Sequence, residues 1–446
     1  MRIIIAGAGD VGFHLAKLLA YEEHDIVLID LDIEKLRYVA NHLDVATIKG
    51  SSTSYGVLKE AKIEKADLLI AVTDAEETNI ATSVIGKSLG AKKTVARISN
   101  PEFLLDKDTL DLKTIGIDEI ISPETLAAKE IKRLLGQSSV TDSFEFDNGK
   151  LTLVGITIDE DSELKDKFLT ETAYLNPDHS FTTVAILRDN KTIIPHGHNR
   201  FMRNDHAYFI AQPDGVDKVL KLSKKPAFPI KNVMILGGSR VGIHTARRLS
   251  KTYNIKLVEK DKEKCFELAD YLPDTLIING DGRDVELLQE EGIDNMDAFI
   301  AVTGDSETNM ISSLAAKNNG VRKTIALVEN IDYIHLSQNI GIDTLINKKF
   351  IAANFIFRYV RKGQVLHITS LHGVDAEVLE FEVKPDSKII KHQLKSLKFP
   401  ETAVIGGVIR NGSGYAVRGN FIFEAQDRVV VLSKPECIHT VESFFQ

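Results

Sequence analysis

One feature constrains this chain more than any other: its first half recurs in its second. RIIIAGAGDVGFHLAKLLA returns as NVMILGGSRVGIHTARRLS, an offset of 230 residues that lays Gly7 over Gly237 and Gly12 over Gly242. The same offset superposes Gly50 to Asn100 on Gly280 to Asn330, matching Asp67 with Asp297, Ala71-Val72-Thr73 with Ala301-Val302-Thr303, and Asn79 with Asn309. Whatever fold the first copy adopts, the second must adopt it too.

Each copy is followed by about 80 residues of short alternating apolar runs. They read LTLVGITI, FTTVAILRD and HAYFIAQ after the first copy, and AEVLEFEV, TAVIGGVIRN and DRVVVLSK after the second, the pattern of half-buried strands. Ser162, Arg188 and Asp205 correspond here to Ser387, Arg410 and Asp427. The order is therefore A-B-A′-B′. Its linkers fall at GQSSVTDS, KLSKKPAFPIK and LHGVD.

Within A, unbroken apolar stretches such as IIIA, IVLI and LLIAV alternate with helical segments, the signature of a parallel sheet covered on both faces. Strands are expected at Arg2 to Ala6, Asp25 to Ile29, Val45 to Lys49, Leu68 to Val72, Thr94 to Ile98 and Glu119 to Ile121. This predicts a doubly wound α/β domain, and such sheets bind ligands at the carboxyl ends of their strands, where strand order reverses.

The first copy carries a complete G-x-G-x-x-G, Gly7-Ala8-Gly9-Asp10-Val11-Gly12, between a strand and a helix. Its glycines permit a tight turn, approach of a pyrophosphate and close helix packing, and the helix N-terminus offers free N–H groups to phosphate. Asp30, about 20 residues on, ends the second strand, where a carboxylate accepts from ribose hydroxyls. An acidic group there repels a 2′-phosphate, which favours NAD over NADP and leaves ATP and ADP open. Asp32 is the better candidate to cap the following helix. Two roles are open to Ser51 and Thr73, nucleotide contact or helix capping, and two to Arg97, a phosphate partner or a surface ion pair. Asp74, Glu76 and Glu77 read as the usual acidic first turn of a helix rather than a metal site.

The second copy departs from this pattern. Ser239 replaces the middle glycine and Leu327 replaces Arg97, for which Arg240 is a partial substitute. Glu259 supplies the ribose carboxylate, Asp281 follows Gly280 as an acceptor for an adenine amino group, and Thr303 repeats Thr73. The expectation is a site that binds more weakly, prefers a different nucleotide or stays empty.

Composition narrows the function. With 55 Lys plus Arg against 64 Asp plus Glu, the net charge of −9 disfavours nucleic acid as a partner. The two cysteines, Cys265 and Cys437, form no metal or redox spacing, which fits a reducing cytoplasm. No apolar run approaches the roughly 18–20 residues that span a bilayer, and MRIIIAGAGD reads as a strand entering a glycine turn rather than a signal peptide. Neither B segment offers an evident acid/base pair, His196 and His198 being the best remaining candidates, and no P-loop lysine occurs. Binding without catalysis suggests a sensor; the alternative is an NAD-dependent oxidoreductase.

The succession GAGDVG, VLIDLD, KGSST, ADLLIAVTDAEETN and KKTVARI resembles the nucleotide-binding domain of the regulator of potassium conductance (RCK, or KTN) family, and SELKDKFL with FTTVAILRDNKTIIP resembles its C-terminal subdomain. The likeness covers essentially the whole chain. It implies two Rossmann-like doubly wound parallel-sheet domains, 1–137 and 230–360, each followed by a small α+β RCK C-terminal subdomain, 140–222 and 368–446. It further implies a cytoplasmic ring, peripheral on the inner face of the membrane, docked beneath a membrane-embedded Trk-type potassium transporter and reshaped by NAD(H) or ATP/ADP. Gly7, Gly9, Gly12 and Asp30 then hold phosphates and ribose, with Arg97 on a phosphate, and Gly237, Gly242, Glu259 and Asp281 match in the second copy. Ser51 stands where the family pattern usually has an acidic residue. Single-copy relatives assemble as eight, so two fused copies imply a homotetramer.

Overall fold

The computed structural model describes the chain except residues 21–23, 101–102, 104–110, 137–141, 190, 225–227, 331–332, 334–340, 362–365, 372–373 and 418. Parts of all three linkers lie outside the described residues.

The first copy forms β1 (Arg2–Ala6), β2 (Asp25–Asp30), β3 (Ala46–Lys49), β4 (Leu68–Ala71), β5 (Lys93–Arg97) and β6 (Glu119–Ile121), a parallel six-stranded sheet in the order β3-β2-β1-β4-β5-β6. Its core is written in the strands: Ile3, Ile4, Ile5, Ala6, Leu69, Ile70 and Ala71 are wholly buried because helices cover both faces. Helix Asp10–Ala20 leaves β1 through the glycine turn, and helix Ile33–His42 is capped by Asp32, whose carboxylate accepts from Glu34 and Lys35 N–H. Strand order reverses between β1 and β4, and the crevice at their carboxyl ends is where such sheets bind ligands.

The second copy repeats the arrangement with β12 (Asn232–Leu236), β13 (Asn254–Glu259), β14 (Thr275–Asn279), β15 (Ala298–Ala301), β16 (Lys323–Leu327) and β17 (Thr344–Ile346), ordered β14-β13-β12-β15-β16-β17. Polar details are duplicated as well. Lys87 donates to Asp118, which also accepts from Thr94 N–H, and Lys317 and Thr324 make the same contacts with Asp343. Burial opposes ionisation of Asp118, yet the bonds from Lys87 and Thr94 outweigh it and hold the carboxyl below its usual range.

The B segments form antiparallel five-stranded sheets of one topology. The first contains β7 (Asp142–Phe146), β8 (Leu151–Thr157), β9 (Phe181–Arg188), β10 (Lys191–Ile193) and β11 (His206–Ala211), ordered β10-β9-β11-β8-β7, with helix Pro213–Leu222 against it. The second contains β18 (His367–Ser370), β19 (Glu377–Glu382), β20 (Ala403–Arg410), β21 (Ser413–Ala416) and β22 (Arg428–Ser433), ordered β18-β19-β22-β20-β21. The matched residues explain themselves: Arg188 makes a two-pronged pair with buried Asp205, and Arg410 an equivalent pair with Asp427, every bond 2.7 Å. The two sheets share one core containing Phe146, Leu153, Tyr208, Val378, Val430 and Leu432. Gly406 lets the backbones close, since a Cβ there would meet the Ile210 side chain at 2.5 Å.

By contacts the chain divides into two compact units, residues 1–129 with 347–360, and 130–346 with 361–446. Most of helix Lys348–Arg361, which follows the last strand of the second copy, thus belongs with the first. Phe350 lies against His14 with ring centroids 4.6 Å apart, and Lys349 pairs with Asp10 at 2.8 Å. Among the described residues no helix is long and apolar enough to cross a membrane.

Candidate nucleotide sites

The three glycines of the first turn have different reasons to be glycine. Gly7 adopts φ +112°, and a Cβ there would stand 2.9 Å from Thr73 N; a Cβ on Gly12 would stand 1.8 Å from the Gly7 carbonyl oxygen. Packing alone forbids side chains at both. Around Gly9 nothing lies within 4 Å of a Cβ. Its bare backbone faces a cavity of about 510 Å³, within the roughly 300–1,000 Å³ typical of ligand pockets. A pyrophosphate path beside Gly9 fits this geometry.

Asp30 ends β2 at the cavity wall. One carboxylate oxygen accepts from Ala8 N–H at 2.6 Å and the other from Asp32 N–H at 2.8 Å. These bonds fix the group while each oxygen retains a lone pair for a ribose hydroxyl. Asp10, Val11, Ser51, Thr73 and Arg97 also line the cavity; Gly12 lies behind it, packed on Gly7.

Ser51 and Thr53 share a hydroxyl bond of 2.8 Å. The Thr73 hydroxyl donates to Asn79 Oδ1 at 2.7 Å, and Arg97 is paired with Asp74 at 3.2 Å. Glu76 accepts from Ser99 and Asn100 N–H, tying the acidic turn to the end of β5.

The second cavity has the same volume, about 510 Å³, with Gly237, Ser239, Glu259, Asp281 and Thr303 in its wall. Gly242 packs on Gly237, a Cβ there lying 2.0 Å from the Gly237 carbonyl oxygen. Arg240 opens helix Arg240–Leu249 exposed to solvent and does not line the cavity. Ser239 caps that helix, accepting from Gly242 N–H and donating to the Val302 carbonyl at 2.6 Å.

Two acids of this cavity, Glu259 and Asp281, already hold cations. Glu259 accepts from Gly238 and Asp261 N–H and pairs with Lys264 at 3.0 Å. Burial opposes its ionisation, but those three donors outweigh it and hold the carboxyl below its usual range. Asp281 is gripped by Arg283 at 2.7 Å and Lys260 at 3.2 Å, and Arg283 above all keeps it ionised far below the ordinary carboxylate range.

Several wall residues were not singled out by sequence reasoning: Lys35 and Lys349 in the first cavity, and Lys260, Lys264 and Arg283 in the second. Asn79 and Asn309 were visible only as repeat identities. Asn79 is fully buried, accepts from Thr73 N–H and hydroxyl, and donates to the Thr73 and Arg97 carbonyls, so one amide fixes the ends of two cavity strands. Asn309 makes the same four contacts with Thr303 and Leu327. His196 and His198 stack on each other at 5.9 Å and line neither cavity.

A glycine turn at the switch point of a doubly wound sheet, with a carboxylate ending the second strand, defines a Rossmann-like domain, present here twice. The TrkA-N domain model matches residues 3–123 and 233–348, and the TrkA-C domain model residues 153–224 and 378–446. The chain is 32% identical to Trk system potassium uptake protein TrkA homolog 1 of Methanosarcina mazei, covering 100% of both chains. It is 33% identical to Trk system potassium uptake protein TrkA of Haemophilus influenzae, covering 100% of this chain and 99% of that one. Among solved structures, the GsuK RCK domain superposes with a TM-score of 0.59 at 15% identity over 100% of this chain and 94% of that one. The GsuK channel bound to NAD gives 0.59 at 15% identity, covering 100% of this chain and 78% of that one. The chain belongs to the TrkA family, with tandem RCK architecture.

Proposed function

We propose that this chain is the nucleotide-binding regulatory subunit of a Trk-type potassium uptake system, acting as a homotetramer on the cytoplasmic face of a membrane-embedded transporter. Its ligands are NAD(H) or ATP/ADP, held in the first cavity by the Gly7–Gly12 turn and Asp30, with Arg97 toward phosphate. Full-length family membership supports the assignment. The observation that carries the ligand reading is Gly9, whose missing side chain no protein neighbour requires.

A bound nucleotide would bridge the glycine turn, the end of β2 and the Thr73–Arg97 wall. Its leverage on the partner equals its differential affinity for two arrangements of these elements. A tenfold preference corresponds to about 1.4 kcal/mol, enough to bias a gate but not to lock it. In the second cavity Glu259 and Asp281 are held by Lys264 and Arg283, which supports weaker or different binding there.

The test is calorimetric titration of NADH, NAD, ATP and ADP into the full chain and its Asp30→Ala and Glu259→Ala variants. Asp30→Ala should abolish the tighter binding event and Glu259→Ala should spare it. Unchanged affinities in Asp30→Ala, or turnover of labelled nicotinamide with a substrate, would reject the proposal.

A further inference from the structure

The two cavities pair their cations with different carboxylates. In the second, Lys260, Lys264 and Arg283 cluster about the carboxylates Glu259 and Asp281. In the first, Lys35 lines the wall along with Asp30, while Arg97 and Lys349 each rest on a rim carboxylate, Asp74 and Asp10. Asp30 bonds Ala8 N–H and marks the ribose end; the path past Gly9 leads to Asp10 and so to Lys349. This is the end where terminal phosphates would lie.

Lys349 reaches this cavity from 339 residues along the chain. The equivalent helix position in the first copy is Glu124, a buried acid bonded to the Ser99 hydroxyl at 2.6 Å. The Asp10 side chain is 65% exposed and that of Lys349 28%, and an ion pair with one partner so open to water is weak. The flexible four-carbon stem of lysine lets its ammonium follow a new partner. Asp10 lies in the first turn of its helix, where the free N–H groups favour an anion, carboxylate or phosphate alike.

Resting on the reading of the first cavity as a nucleotide site, we propose that Lys349 is its charge-reading residue, leaving Asp10 to bind the terminal phosphate of an adenosine di- or triphosphate. The gain grows with the charge at the phosphate terminus. It is therefore larger for ATP than for a dinucleotide, whose pyrophosphate has no free end. Arg97 faces the same path from β5 and contributes to both ligand classes.

The test is titration of ATP and NAD into the full chain and its Lys349→Gln, Lys349→Arg and Asp30→Ala variants. Lys349→Gln should weaken ATP about tenfold and NAD by less than about twofold. Lys349→Arg, which keeps a cation on a similar stem, should restore most of the ATP affinity and separates loss of charge from loss of fold. Equal effects on ATP and NAD in Lys349→Gln, with Asp30→Ala still abolishing binding, would overturn the role of Lys349 and leave the cavity assignment standing. Binding that ignores Asp30→Ala would overturn both.

Discussion

A Cβ on Gly12 would stand 1.8 Å from the carbonyl oxygen of Gly7, so these two residues are locked to each other by backbone contact. Gly9, between them, touches nothing in that direction. Gly12→Ala should destabilise the first unit by about 2–4 kcal/mol through forced separation of helix and turn. Gly9→Ala should melt at or slightly above the native temperature, since alanine restricts the unfolded chain, while losing nucleotide affinity. Thermal denaturation paired with titration checks both.

Asn79 satisfies four backbone and side-chain groups at once. Asn79→Leu removes those bonds and leaves buried groups of Thr73 and Arg97 unpaired, an expected loss of about 2–4 kcal/mol. Nucleotide affinity should fall too, because the Thr73 and Arg97 wall loses its anchor. Chemical denaturation measures the first effect and calorimetry the second.

The Arg188–Asp205 pair makes a different prediction. Asp205 is wholly buried, so Arg188→Met strands a charge and should cost about 3–5 kcal/mol. Removing both charges in Arg188→Met with Asp205→Leu should recover part of that loss, although Met202 N–H, which donates to Asp205, is then left unpaired. Melting the two variants side by side decides whether stranded charge or lost packing dominates.

His14 carries the pH prediction. Burial, with repulsion from Lys17 adding to it, pushes the imidazole down to about 4. The unfolded residue titrates near 6.5. Between these values the unfolded chain holds a proton that the folded chain refuses, so stability is complete above about pH 6.5, falls on acidification, and levels off below about 4. The full loss is about 3 kcal/mol. His14→Leu should flatten this part of the profile, as denaturant midpoints at pH 7 and 4.5 would reveal.

Much of the molecule was legible in its sequence because the signals are local. Unbroken apolar runs predicted the parallel strands, and no observed end in the first copy differs by more than one residue. Asp32 read as a cap and is one; Asp30 read as the end of β2 and sits in the cavity wall. Thr73 and Arg97 could not be settled in this way. Thr73 bonds Asn79 and Arg97 pairs with Asp74, partners chosen only when separate strand ends and helices meet.

Repetition at a fixed offset determined that two alike sheets and two alike small subdomains would form, since one pattern of apolar burial has one low-energy solution. Tertiary structure decided what fills each crevice. Ser239 became a helix cap, Lys264 came to rest on Glu259, and Lys349 was carried from the end of the second copy to Asp10 in the first. Charges so distant in sequence leave no periodic trace, because their partners are fixed by the packing of whole elements and not by spacing along the chain.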